Sequence, residues 1–162
     1  MTMNKQQKIL FLHGLESKPG GTKPRFLTKK GYQVLNPKLP KSSFEESIAI
    51  AQNLIDTEEP DVVIGSSRGG AVAMCLNTAG ASMVLIAPAW SRFRQTASKK
   101  VDSTTVVLHS KHDDIVEFKD SEHLAKVCGA TLISVGDNHR MNDPDALEAM
   151  LDAVKWVSDE NR

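Results

Sequence analysis

The sequence predicts an α/β fold, a doubly wound and mostly parallel six-stranded sheet flanked by helices, on two observations. Short apolar runs rich in Val, Ile and Leu recur at Ile9–Leu12, Tyr32–Leu35, Val62–Ile64, Met83–Ala87, Thr105–Leu108 and Thr131–Val135. They are continuous rather than alternating, as in strands covered on both faces. Between them lie stretches with helical punctuation, so strand and helix alternate and right-handed crossovers follow.

Ile9–Leu12 opens the sheet and leads into the glycine- and lysine-bearing segment Gly14–Lys23. That segment matches neither G-x-x-x-x-G-K-[ST] nor G-x-G-x-x-G, so nucleotide binding is not expected. Ser43-Phe-Glu-Glu46 is a capping box, and Phe44, Ile48, Ala51, Leu54 and Ile55 follow at helical spacing to about Asp56. A small-residue helix begins near Gly69. Pro88–Ser103 runs about 16 residues without strand character, a length at which loops are functional or carry a helix. Asp143-Pro144 sets a capping carboxylate before a first-turn proline, and Leu147, Met150, Leu151, Val154 and Val157 continue the helical period. Ser158–Arg162 reads as a frayed tail. At ~100 to 200 residues per domain, residues 1–162 form a single domain.

Lys+Arg and Asp+Glu each number 20, which leaves no formal net charge. Nucleic acid and anionic membrane both call for a basic excess, so neither is an expected partner. Cys75 and Cys128 lie far apart with no metal-ligand spacing around them, so no zinc site or disulfide framework is expected. The run Ile9–Leu12 is too short for a secretory core, and no stretch approaches the ~20 apolar residues of a membrane span. A cytoplasmic protein acting on a small molecule is the expectation; the oligomeric state is not legible.

Gly65-Ser66-Ser67-Arg68-Gly69 reads G-x-S-x-G and stands directly after an apolar run and before a helix. Three fixed positions recur by chance in about 5% of chains of this length, so it is the placement that gives the motif its weight. A sharp strand-to-helix turn of this kind holds a serine at the top of a sheet, with backbone N–H groups and a helix N-terminus behind it. Two companions follow in the order Ser, Asp, His: Asp113 after Thr105–Leu108 and His139 after Thr131–Val135. Carboxyl ends of parallel strands converge on one edge. Asp114 is an alternative to Asp113. An imidazole that titrates near pH 6.5 can activate a serine hydroxyl, and a carboxylate fixes its tautomer.

These residues, with Ile9-Leu-Phe-Leu-His-Gly14, resemble the compact serine esterases of the α/β-hydrolase superfamily that lack a cap domain, over nearly the whole chain. The resemblance implies a triad of Ser67, Asp113 and His139 with no cofactor and no metal. It also implies that His13-Gly14 shapes an oxyanion hole formed by the backbone N–H groups of Leu15 and Arg68. Family sequences often read H-G-x-x-D-x-x-V-P around the acid; here Ser110 replaces the glycine and Glu117 the proline.

The expected reaction is hydrolysis of a small carboxylic ester through an acyl-enzyme on Ser67. A thioesterase or small-amide hydrolase using the same triad is the alternative, and a noncatalytic binding module on the same fold is a third reading. Trp90 and Phe93 are candidates for the acyl pocket, with Arg92 and Arg94 at its rim; packing the segment down is the competing role for both aromatics. Arg68 either selects acidic substrates or faces outward. His13 is expected to hold the strand end, His109 and His112 to be loop or strand-end residues, His123 a solvated helix position, and Cys75 a small buried hydrophobe.

Overall fold

The computed structural model describes residues 6–93 and 100–160. In chain order the elements are β1 (Lys8–Leu12), α1 (Thr22–Lys29), β2 (Gln33–Leu35), α2 (Phe44–Glu58), β3 (Val62–Ser66), α3 (Arg68–Ala73), β4 (Ser82–Ile86), a 3₁₀ turn (Trp90–Phe93), β5 (Val106–His109), α4 (Phe118–Cys128), β6 (Thr131–Ser134) and α5 (Pro144–Glu160). The six strands lie in the order β2-β1-β3-β4-β5-β6, and every pairing is parallel. The chain moves outward from β1 to β2 and then returns to place β3 on β1's other side. That reversal opens a crevice beyond the carboxyl ends of β1 and β3, where ligands of such sheets bind.

The period-two alternation of strand side chains divides the interior into two layers. Leu10, Leu12, Val63, Leu85 and Val107 face α2, α3 and α4, which contribute Ala51, Ile55, Val72 and Leu124. Ile9, Phe11, Ile64, Val84, Ile86 and Leu108 face Leu27 of α1 and Met150, Val154 and Val157 of α5. Most of these side chains are fully buried, and each contributes about 1.5–3 kcal/mol by leaving water.

The helix ends obey their local chemistry. Ser43 Oγ accepts the Glu46 N–H at 3.1 Å and starts α2, and Glu59 ends it in the left-handed region at φ 48°. Asp143 Oδ2 accepts the Ala146 N–H at 3.1 Å at the start of α5. Two expectations are corrected. The Thr131–Val135 run is not covered on both faces, because β6 is an edge strand and only Leu132 is half-buried within Thr131, Leu132, Ile133 and Ser134. The frayed tail expected from Ser158 begins later: α5 continues to Glu160, with Ser158 Oγ donating to Val154 O at 2.7 Å, and the rest of the expected tail, residues 161–162, lies outside the described residues.

Candidate active site

Ser67 follows the last residue of β3 and has φ 54° and ψ −117°, a conformation that a side-chain-bearing residue holds only when its surroundings impose it. Backbone hydrogen bonds impose it here. The Ser67 N–H donates to Ile86 O at 2.9 Å, and its carbonyl accepts the N–H groups of Gly70 and Ala89, each at 2.9 Å. The glycines on either side allow the approach. A Cβ on Gly65 would lie 2.5 Å from Gly69 O, and one on Gly69 would overlap the Leu12 carbonyl, so α3 packs backbone to backbone against β3 and β1. Gly14 brings the loop after β1 equally near; a Cβ there would be 3.2 Å from Ser67 Cβ.

The sheet edge then unites residues far apart in sequence. Ser67 Oγ lies 2.9 Å from His139 Nε2, and His139 Nδ1 lies 2.6 Å from Asp113 Oδ2. The other carboxylate oxygen, Asp113 Oδ1, accepts the N–H groups of Ile115 and Val116, both at 2.8 Å. Burial pushes the Asp113 carboxyl up, but the hydrogen bond from His139, the two backbone donors and the imidazole's charge outweigh it and hold the group below the usual carboxylate range. Asp113, with a fully buried side chain, makes this contact. Asp114 is exposed at the rim of the cleft and has no bond to His139 among the described residues.

Three further polar residues serve this arrangement. His13 is buried and bridges two loops: its Nδ1 donates to Gly14 O at 2.8 Å and its Nε2 accepts the Leu39 N–H at 3.0 Å, which anchors the strand end as expected. Ser110, the residue in place of glycine, donates from Oγ to Gly136 O at 2.8 Å and accepts the His112 N–H at 3.0 Å. It therefore ties the loop of Asp113 to the loop of His139. The backbone at Glu117, in place of proline, has φ −64°, the value a proline ring enforces, so that departure leaves the path of the chain unchanged.

His109 goes beyond the strand-end role expected of it. It closes β5 fully buried, with Nε2 2.9 Å from Asp113 Oδ2 and 3.1 Å from Val116 O, and Nδ1 2.6 Å from Ser121 Oγ. The signal available in the sequence was alternation, since two residues after Val107 the side chain must face α4. His123 is exposed as expected. Cys75 is half-exposed rather than buried, with Sγ donating to Ala71 O.

A cleft of about 610 Å³ opens over Ser67 and His139; Leu15, Arg68, Arg92 and Phe93 contribute to its walls. Among the described residues, the backbone N–H groups of Leu15 and Arg68 have no acceptor. Arg68 faces neither solvent nor substrate space with its guanidinium. That group is buried, donates to Ser47 Oγ at 3.2 Å and Pro40 O at 3.0 Å, and lies 5.5 and 5.7 Å from the rings of Phe44 and Phe93. Trp90 is corrected: it does not line the cleft. Its indole N–H donates to Asp120 O at 3.3 Å and its ring stacks on His123 at 6.0 Å, which fastens the 3₁₀ turn to α4. Arg92 sits at the rim and donates to Ile115 O, while Arg94 lies outside the described residues. Among the described residues no cluster of His, Cys, Asp and Glu could hold a metal ion, and no helix is long and apolar enough to cross a membrane.

No protein-family model matches the chain, and no curated protein matches it in sequence. Solved structures do match it. A predicted CIB-like hydrolase from Thermoplasma acidophilum superposes with a TM-score of 0.75 at 18% identity, covering 98% of this chain and 89% of that one. MGS-MChE2, an α/β-hydrolase enzyme from the metagenome of sediments of the Mar Chica lagoon in Morocco, gives 0.74 at 17%, covering 98% and 93%. The mouse α/β hydrolase domain-containing protein 10 gives 0.74 at 15%, covering 99% and 93%. The fold is that of an α/β hydrolase, and among the described residues no cap domain stands over the cleft.

Proposed function

We propose that the protein is a serine hydrolase that cleaves small carboxylic esters through an acyl-enzyme on Ser67. The observation that carries this reading is the unbroken chain of hydrogen bonds from Ser67 Oγ through His139 to the buried carboxylate of Asp113, at 2.9 and 2.6 Å. In the resting state His139 donates from Nδ1 to Asp113 and accepts the Ser67 hydroxyl proton at Nε2. Ser67 Oγ attacks the ester carbonyl while that proton passes to Nε2, and the resulting oxyanion is received by the N–H groups of Leu15 and Arg68. Each such donor is worth ~10²- to 10³-fold in rate. The C–O bond to the leaving alcohol then breaks as Nε2 returns its proton to the alcohol oxygen. Water repeats the sequence on the acyl-enzyme, releasing the acid and restoring Ser67. The steps need no cofactor, and the enzyme is read as cytoplasmic.

Intact-mass analysis after treatment with a fluorophosphonate probe tests the reading without knowledge of the substrate. A single adduct on the wild type that is lost in Ser67→Ala and His139→Ala is expected. A folded wild type that takes no adduct overturns it.

A further inference from the structure

We propose that the cleft selects an ester carrying an anionic group, a carboxylate or phosphate, which Lys23 binds with the help of Arg140 and Arg92. The inference rests on the serine-hydrolase reading and deepens it. Although the whole chain carries 20 cationic and 20 acidic side chains, the cleft does not share that balance. Lys23, Arg92 and Arg140 line it, with the Arg68 guanidinium buried behind the wall, against Glu16 and Asp114 at the rim and Asp113 buried behind His139. Of these acids, Glu16 is engaged elsewhere, 3.5 Å from Lys41 Nζ, and Asp114 is exposed. Among the described residues none of the four cations has a carboxylate within ion-pair distance.

Lys23 is the focus. Its Nζ lies 2.7 Å from Arg140 O and 3.0 Å from Asn142 Oδ1, two neutral acceptors on the loop that carries His139, so the third ammonium proton remains for a ligand. Burial, and then the charge of Arg140, push Lys23 down to about 8. A desolvated ammonium beside a like charge lacks its counter-ion, and an anionic substrate supplies one. Arg92, bound to Ile115 O on the loop after Asp113, adds positive potential from the opposite loop. Arg68 is spoken for by Ser47 and Pro40 and contributes only its field.

Two matched pairs of esters test this at neutral pH. In one the charge is on the acyl side, para-nitrophenyl hydrogen glutarate against para-nitrophenyl pentanoate. In the other it is on the leaving group, para-acetoxybenzoate against para-acetoxybenzamide. After correction for rates in hydroxide alone, wild type should favour the charged member of at least one pair by about tenfold or more in kcat/KM. Lys23→Gln keeps a donor for the His139 loop and loses the charge; its ratio should fall to about one, with Arg92→Gln intermediate. Because each ratio is taken within one variant, damage to the loop cancels. A wild-type ratio of one or less in both pairs, or a preference that survives in Lys23→Gln, overturns the inference. Fluorophosphonate labelling of the same preparations separates the two readings. A labelled Ser67 without anion preference overturns this inference alone, and a folded protein that does not label overturns both.

Discussion

His109 Nε2 lies 2.9 Å from Asp113 Oδ2, the oxygen that His139 approaches from its other side at 2.6 Å. Val116 O, also 3.1 Å from that nitrogen, can only accept, so His109 is protonated at Nε2 and receives the Ser121 hydroxyl proton at Nδ1. With Ile115 and Val116 on Oδ1, the carboxylate of Asp113 has four donors. Replacing His109 with Phe removes one of them and strands Val116 O. The expected result is a fall in kcat of about ten- to hundredfold, on the worth of a hydrogen bond to a charged group, with KM little changed. Ser121→Ala should act in the same direction and more weakly. Steady-state kinetics on an ester substrate check both, and an unchanged kcat in His109→Phe would refute the role.

Asp113 also couples stability to pH. Its folded-state value is lowered, so the group stabilises the fold above the unfolded carboxylate value of about 3.9 and this contribution is lost as pH falls through the lower folded value. Urea midpoints measured downward from about pH 5 should drop more steeply for wild type than for Asp113→Asn. Parallel curves would contradict the linkage.

Lys23 has the opposite consequence in alkali. An unfolded lysine holds its proton to 10.5, whereas folded Lys23 releases it near 8. Between those values the unfolded state binds more protons, so the share of stability due to Lys23 rises with pH across the window and is a constant cost below it. The stability difference between wild type and Lys23→Met should therefore shift in favour of wild type from pH 8 to 10.5. Denaturant titrations at both ends give the answer.

Ser110→Ala cuts the tie between the Asp113 loop and the His139 loop. It leaves Gly136 O and the His112 N–H without the partner they have at 2.8 and 3.0 Å. A loss of about 1–2 kcal/mol in stability is expected, accompanied by a drop in kcat as His139 loses its alignment. A stability loss with full activity would make the tie structural only.

Gly69→Ala should not yield folded protein. Its Cβ would meet the Leu12 carbonyl and His13 O at 2.8 Å, both backbone atoms of the central strand and its exit, and neither can rotate away. Circular dichroism of the purified variant, compared with wild type, would expose any error in this.

The sequence made the positions of Ser67, Asp113 and His139 legible because each sits where a parallel strand ends, and such ends share one edge whatever the order of strands between them. Sheet order itself leaves no periodic trace, so Thr131–Val135 read as interior when β6 lies at an edge. Which way Trp90 turns was illegible for a different reason. A buried indole N–H goes where an acceptor is, and that acceptor, Asp120 O, is supplied by a helix 30 residues away. Between Asp113 and Asp114 the sequence offers two acids one residue apart, and only Asp113 has its side chain fully buried against His139. His109 carried no motif of its own beyond the strand it closes.

The two sides of the cleft differ in what holds them. Ser67 is bolted by main-chain bonds to Ile86, Gly70 and Ala89 amid glycines that leave no slack. The loop of His139 is moored by side chains, Lys23 to Arg140 O and Ser110 to Gly136 O, and each of these can swing free singly. On the proposed reading, warming should draw the histidine away from a serine that stays in place, so that activity is lost before the sheet melts.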